Sequence, residues 1–226
     1  MKLPGPWSYS SAKLYDQCAK KYYHLKVAKT YQEDQNAVHL IYGKSFHEAA
    51  EFYVRDGTPL PAEFRFAKQY LDMLVAIPGT KHCEYEMGLK EDLTPCGFHD
   101  PDAWYRGIAD LIVVSEDGTK ARVLDYKSSK SSKYADVGQL ELMSLCIFKH
   151  FPTVRSVKAG LLFVVCNDFK PAAYKYEEQP VYWRNWMPLI SRIERSFETG
   201  VWNPRPSGLC ARHCVVLECP HNGANR

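Results

Sequence analysis

Two aspartates and a lysine are placed around a short turn at a spacing that suits metal chemistry. Asp117 and Gly118 lie between two apolar runs, as in the two-residue loop of a β-hairpin. Counting outward from that loop places Asp110 opposite Asp125, and Lys127 shares their face because side chains alternate along a strand. Opposed carboxylates about 5 Å apart repel each other and favour a bound cation. The hairpin therefore predicts a divalent-metal site with an adjacent base.

The elements that position this hairpin follow from periodicity and capping residues. We predict helices over about 8–25, 42–55, 61–74, 134–149 and 181–198, and strands over about 82–89, 104–115, 120–127, 159–166 and 172–176. A helix between the second hairpin strand and the apolar run 159–166 indicates a crossover in a mixed sheet. The fold class is therefore α/β or α+β, with a central sheet flanked by helices. We expect one domain with a helical part (1–80), a catalytic core (81–200) and a Cys-rich tail (201–226).

Composition and charge restrict the partners only weakly. The chain is 46% apolar and 13% aromatic, so its 226 residues can bury a large core, and a net charge of +3 lies within ordinary scatter. Lys20 and Lys21 lie in a segment with interleaved tyrosines, which is typical either of a surface that binds nucleic acid or of a solvated amphipathic helix. No run has the length of a signal peptide or a membrane span, so we expect a cytoplasmic protein without a membrane partner.

Four short motifs occur in a fixed order along the chain. They are Gly43-x-x-x-His47, Arg106-Gly107-x-x-Asp110, Asp125-Tyr126-Lys127 and Gln139-Leu140. This series resembles the PD-(D/E)xK nuclease superfamily in its RecB-type exonuclease branch. The resemblance implies a restriction-endonuclease-like fold, hydrolysis of phosphodiester bonds in DNA, and Mg²⁺ or Mn²⁺ as cofactor.

The resemblance also implies roles for individual residues. The metal ligands would be His47, Asp110, Asp125 and the backbone carbonyl of Tyr126. A histidine ligand favours Mn²⁺ over Mg²⁺, so we expect activity with manganese. Lys127 would orient or deprotonate the attacking water, and Gln139 would hold DNA or the lysine. Related sequences often carry Tyr where this chain has Met143. Candidate substrate-binding residues are Lys20, Lys21, Arg106 and Lys130, although Arg106 equally suits a salt bridge within its sheet.

Four cysteines form a second candidate centre. Cys18 lies in the first predicted helix, and Cys210, Cys214 and Cys219 lie in the irregular tail. In a reducing compartment, such thiols suit metal or cluster ligation better than disulfides. The pattern is similar to RecB-type nucleases in which one early and three late cysteines hold a [4Fe-4S] cluster, which would pack the tail near the N-terminal helix. Zinc, with His213 or His221 replacing a thiolate, and unligated thiols remain alternatives.

The leading hypothesis is a metal-dependent DNA exonuclease that acts at DNA ends in recombination, repair or phage DNA metabolism. A structure- or sequence-specific endonuclease and a non-catalytic DNA-binding subunit on the same scaffold are the alternatives. A bacterial or phage origin and a recombination or replication partner protein would fit this role. Glu84 and Glu86, in the strand before the hairpin, suit either an extra acid near the metal or two solvated side chains. Strand polarity and oligomeric state do not follow from the motifs.

Overall fold

The structure, a computed structural model, describes residues 3–34 and 36–225. The chain divides into two compact units, one formed from residues 1–35 and 183–226 and the other from residues 36–182. No helix in the described ranges combines the length and apolar content that a membrane span requires.

The larger unit is built on one six-stranded mixed sheet, as predicted. Its strands are β1 (Thr80–Leu89), β2 (Pro95–Cys96), β3 (Tyr105–Val114), β4 (Lys120–Lys127), β5 (Ser156–Phe163) and β6 (Asp168–Lys175). They lie in the order β2-β1-β3-β4-β5-β6. Only β4 and β5 pair in parallel, through a crossover that contains α5 (Gly138–His150). Pro171, which cannot donate to a ladder, lies in the edge strand β6, where it is tolerated.

Helices cover both faces of this sheet. On one face α3 (Val38–Asp56), the 3₁₀ helix Ala62–Ala67 and α4 (Lys68–Val75) bury a core against β3 and β4. Phe46 of α3 is fully buried there and meets the Tyr126 ring edge-on at 6.1 Å. Asp125 points to the opposite face, where α5 lies, because successive side chains of a strand alternate. The hairpin strand β4 therefore supplies core on one side and chemistry on the other.

The hairpin loop between β3 and β4 differs from the prediction of a two-residue turn. The strands end at Val114 and restart at Lys120. The Ser115 amide donates to the Lys120 carbonyl (2.9 Å), so the loop holds residues 116–119. The Ser115 hydroxyl accepts from the Lys120 amide (3.0 Å) and donates to Asp117 (2.6 Å), which holds this wider loop. Gly118 takes the left-handed conformation with φ +69. The predicted register survives, because Leu111 pairs with Leu124 and the next step outward is Asp110 opposite Asp125.

The smaller unit contains both ends of the chain. Its helices are α1 (Tyr9–Gln17), α2 (Ala19–Tyr22), a π-helix (Tyr23–Val27) and the part of α6 (Gln179–Thr199) from Trp183 onward. The predicted continuous first helix is wrong, since the backbone of Cys18 is extended (φ −167) and separates α1 from α2. The tail packs on this N-terminal part as predicted, with Trp202 stacked on Tyr22 at 5.9 Å. The tail itself is irregular apart from the 3₁₀ helices Gly208–Ala211 and Gly223–Asn225.

Candidate active site

Glu84 and Asp110 face each other across β1 and β3. The ladder pairs Cys83 with Leu111 and Tyr85 with Ala109, so the same register sets Glu84 opposite Asp110, but this position is not paired. Glu84 has φ +46, a left-handed conformation that costs a non-glycine residue about 1–2 kcal/mol. Such strain is typical of functional positions. The distortion interrupts the sheet at its acidic centre.

His47 reaches this pair of acids from α3. Gly43 lies one turn earlier, and a Cβ there would be 3.2 Å from Ser128 Oγ, so glycine lets the helix approach the end of β4 closely. His47 Nε2 donates to the Tyr126 carbonyl (3.0 Å). Its Nδ1 lies 3.4 Å from Asp110 Oδ1 and 3.7 Å from Glu84 Oε1. The imidazole is thereby held between the two carboxylates and a backbone oxygen.

Asp110 occupies the point where the β3–β4 ladder ends. Its Oδ2 accepts from the Tyr126 amide (2.6 Å), so a side chain takes the place of the next backbone partner. Asp110 is buried, with 7% of its surface exposed. Its other oxygen, Oδ1, faces His47. This arrangement fixes the carboxylate firmly enough to serve as a preorganised metal ligand.

Asp125, Lys127 and Gln139 form a closed ring of contacts beside that cluster. Gln139 Nε2 donates to Asp125 Oδ1 (2.6 Å). Lys127 Nζ donates to Gln139 Oε1 (3.0 Å) and forms an ion pair with Asp125 Oδ2 (2.6 Å). The two oxygens of one carboxylate are thus shared between an amide from α5 and an ammonium from β4. Gln139 fixes both other members of the ring.

The electrostatics of the cluster favour an added cation. Burial, followed by the charge of Asp110, raises the pKa of Asp125 above its ordinary range. Burial disfavours the charged imidazolium, but the Asp110 and Glu84 carboxylates outweigh it and raise the pKa of His47 to about 10. Asp125 and His47 therefore hold a proton more readily than they would in water, and a bound divalent cation would favour its release.

The donor set fits a divalent metal ion. Ligand atoms of His47, Glu84 and Asp110 all lie within 4.8 Å of one another, the one such group of three or more among the described His, Cys, Asp and Glu residues. Glu84 Oε1 is buried and accepts no hydrogen bond within the described chain. Two carboxylates and one imidazole suit Mn²⁺ or Mg²⁺. The Tyr126 carbonyl lies beside this group, since it accepts a hydrogen bond from His47. The Asp125 carboxylate, in contrast, contacts Lys127 and Gln139.

Sequence reasoning left Glu84 out of the ligand set. The residues between β1 and β3 form a long connection that does not fix the register, so neither Glu84 nor Glu86 could be placed opposite Asp110. The one available signal was an acid in the strand next to the hairpin. The structure resolves the choice: Glu84 joins the cluster, while Glu86 lies 4.0 Å from the exposed His99.

Three further residues that the sequence analysis singled out are Arg106, Lys130 and Met143. The Arg106 guanidinium lies over the Phe98 ring at 5.1 Å, and none of the ion pairs found in the described chain includes Arg106. Lys130 is exposed in the segment between β4 and α5. Met143 is buried (2% exposed) and packs as core. Substrate binding by Arg106 and Lys130 remains a prediction.

The four predicted cysteines line one small cavity in the smaller unit. Cys18, Cys210, Cys214 and Cys219 share it with Lys20, Lys21 and His221. The Cys18 sulfur accepts from the amides of Lys21 (3.5 Å) and Arg205 (3.4 Å), and the Cys210 sulfur accepts from Ser207 (3.4 Å). Amide donors of this kind are typical of ligating thiolates. Lys21 also pairs with Glu33 at 2.8 Å, so nucleic-acid contact by Lys20 and Lys21 stays a prediction.

The fold and the cluster of acids, lysine and glutamine together define a class of nuclease. The model of the PD-(D/E)XK nuclease superfamily matches residues 6–219, most of the chain. The chain therefore belongs to this superfamily, as its motifs indicated, and a search of curated proteins finds no match.

A solved structure of another protein shares the fold. A candidate exonuclease from Eubacterium rectale aligns over 95% of this chain and 90% of that chain, with a TM-score of 0.58 and 13% sequence identity. At that identity the likeness shows the fold alone. A protein designated SSO0001 aligns over 98% of this chain and 89% of that chain at 14% identity, with a TM-score of 0.49, and carries no argument.

Proposed function

We propose that this protein is a divalent-metal-dependent DNA exonuclease. The main support for this proposal is that two groups of side chains lie next to each other. The first group has its ligand atoms within 4.8 Å of one another and consists of His47, Glu84 and Asp110. The second is the hydrogen-bonded ring of Asp125, Lys127 and Gln139. A metal site next to a positioned ammonium is what phosphodiester hydrolysis requires. An intact set of acids and lysine also argues against a non-catalytic DNA-binding subunit.

The chain's own residues divide the work of the reaction. His47, Glu84 and Asp110 would hold the cation, with the Tyr126 carbonyl and Asp125 able to complete its coordination. When bound, a divalent ion supplies Lewis-acid stabilisation of the charge that builds on the phosphoryl oxygens. Lys127 Nζ carries three donors, of which contacts to Asp125 and Gln139 use two. The third can orient the attacking water or contact the phosphate, and Gln139 is the positioning residue that keeps it there.

The cysteines would hold a [4Fe-4S] cluster. Zinc binds four ligands about 2.3 Å away, which requires sulfurs within about 4 Å of each other. Among the described residues, no three of these cysteines gather their sulfurs within 4.8 Å of one another. A four-iron cluster attaches each thiolate to a different iron and so accepts wider spacing. The amide donors to Cys18 and Cys210 suit such a cluster, which would order the irregular tail.

The finer assignments form part of the same proposal. We propose that both units serve one nuclease domain of the RecB-type branch, acting on DNA ends in recombination, repair or phage DNA metabolism. A cytoplasmic location and a recombination or replication partner protein fit that role. The motif series and the paired cysteine segments support the branch, and the E. rectale protein with a similar fold is itself named as a candidate exonuclease.

The test of this proposal compares two DNA substrates. Purified protein is incubated with Mn²⁺ or Mg²⁺ and either linear or covalently closed circular DNA of the same sequence. Nucleotide release from linear DNA alone supports an exonuclease. Cleavage of the circles would establish the endonuclease alternative instead, and absence of product from both substrates with both metals would overturn the nuclease assignment.

A further inference from the structure

The segment 128–137, here called the β4–α5 loop, is fixed at both ends in the candidate active site. Lys127 precedes it and Gln139 follows it, and these two side chains are hydrogen-bonded at 3.0 Å. In its middle, the Ser132 hydroxyl donates to Asp168 at the start of β6. The loop therefore begins and ends beside the candidate active site and is tied to the sheet at a third point.

Tyr134 projects from this loop into solvent. It is 86% exposed, the most exposed aromatic side chain among the described residues. Its hydroxyl makes no hydrogen bond within the described chain. The ring makes a cation–π contact with the Lys133 ammonium, which lies 5.4 Å from the ring centre. A tyrosine placed so does nothing for the core. The ring face that does not meet Lys133 is open to a ligand.

The charges around Tyr134 indicate what that ligand is. Lys130 and Lys133 are exposed, and neither belongs to an ion pair in the described chain. The combination of unpaired lysines with an exposed ring is the chemistry that binds single-stranded nucleic acid: cations follow the phosphates and aromatic faces stack on unpaired bases. A base within a duplex is already stacked and paired, so the ring favours an unpaired one.

The position of Tyr134 places it within reach of bound substrate. Tyr134 lies five positions before Gln139, so at about 3.5 Å per residue the two Cα atoms lie within about 18 Å. That is a span of a few nucleotides. At the first residue of the loop, Ser128 lies close to Gly43 of α3. Leu40, one helical turn before Gly43, is 45% exposed. Exposed apolar side chains therefore lie on both the β4–α5 loop and α3.

We propose that Tyr134 stacks on an unpaired nucleobase within a few nucleotides of the bond being cleaved, with Lys130 and Lys133 binding the adjacent phosphates. This inference rests on the proposed nuclease function and adds its substrate class, a single-stranded DNA end or an end that is frayed before cleavage. Stacking needs no base-specific contact, so the subsite accepts all four bases.

The test measures binding without cleavage. The probe is a fluorescein-labelled 12-nucleotide single strand in Ca²⁺, and the background is the inactive Asp125→Asn protein. Adding Tyr134→Ala should raise Kd by about 5- to 150-fold, the range for one stacked base. Tyr134→Phe, which keeps the ring, is the matched control and should bind like the parent. Lys133→Ala should remove one phosphate contact and so reduce the slope of log Kd against log salt concentration by about 1.

A set of probes with one abasic position distinguishes stacking from a structural effect. One abasic position should weaken binding by the parent and leave binding by the Tyr134→Ala variant unchanged. Equal affinity of parent and Tyr134→Ala, an abasic penalty that persists without the ring, or no binding of the single strand by the parent would each overturn this inference. Failure of wild-type protein to cleave DNA would contradict the proposed function instead, because binding is measured separately.

Discussion

Glu84 of β1 lies directly opposite Asp110 of β3, at a position where the backbone pairing of the two strands is interrupted. The pairs on either side, Cys83 with Leu111 and Tyr85 with Ala109, keep one register, and only the acidic position between them is unpaired. Glu84 has φ +46, and its buried Oε1 accepts no hydrogen bond in the described chain. A strained residue with an unsatisfied carboxylate oxygen suits metal ligation better than stability. The candidate metal site therefore includes a strand that lies outside the four sequence motifs.

The Glu84 carboxylate should be needed for metal affinity. Glu84→Gln removes the charge and keeps the shape, so we expect Mn²⁺ to bind at least about 10-fold more weakly by calorimetric titration. Glu86→Gln is the matched control, since Glu86 lies in the same strand outside the cluster. It should bind Mn²⁺ like the wild type. Equal affinities for the wild type and Glu84→Gln would remove Glu84 from the ligand set.

Gln139 should act through Lys127. Gln139→Ala frees the ammonium and the Asp125 carboxylate from their shared contact, and we expect kcat to fall about 10- to 100-fold with KM little changed. A positioning role also predicts that the double variant with Lys127→Ala is no slower than Lys127→Ala alone. Additive losses in kcat would mean that Gln139 contributes independently of the lysine.

The hairpin loop should contribute pH-dependent stability. Hydrogen bonds, first from the Ser115 hydroxyl and then from Thr119, lower the pKa of Asp117 from 3.8 to about 2. A folded-state pKa below the unfolded one gives stability that is present above about pH 4 and lost as the pH falls toward 2. Asp117→Ala should therefore lower the urea midpoint at pH 6, and the gap to wild type should close between pH 4 and 2. Glu116→Ala is the control that should change little; a pH-independent gap would contradict this account.

The cysteine cavity should hold iron. Protein purified without oxygen should be brown and contain about four irons and four sulfides per chain, as a [4Fe-4S] cluster requires. Cys210→Ala should lose the colour and the iron, and the tail should become sensitive to protease. Cys146→Ala is the control, because Cys146 is a fully buried core thiol. A colourless protein with one equivalent of zinc would refute the cluster.

The hairpin that carries Asp110 and Asp125 could be predicted because its register follows from local rules. A turn between alternating strands fixes which residues face each other, and Asp110 and Asp125 are separated by so few residues that counting suffices. The loop type itself escaped prediction because the Ser115 side chain bonds to Asp117 and to the Lys120 amide and so widens the turn. The wider loop still places Asp110 opposite Asp125, because it gives the two strands the same register as the predicted two-residue turn.

Long-range relationships were harder to predict. The register of β1 against β3 depends on packing across a long connection, so the sequence offered Glu84 and Glu86 equally. Likewise, the helical spacing around Cys18 gave no sign of the break there. That break turns the sulfur toward the amides of Lys21 and Arg205, and the second of these lies at the far end of the sequence. Contacts of this kind depend on the folded tail and leave no periodic signal.

The most direct test of the account compares wild type with Asp125→Asn on end-labelled linear DNA in Mn²⁺. Asn keeps the size of the side chain and can still bond to Gln139, while it removes the charge that pairs with Lys127. The account predicts nucleotide release by the wild type and a loss of at least about 1,000-fold in Asp125→Asn, with unchanged thermal unfolding. Cleavage by Asp125→Asn at the wild-type rate would contradict the assignment of this cluster as a nuclease active site.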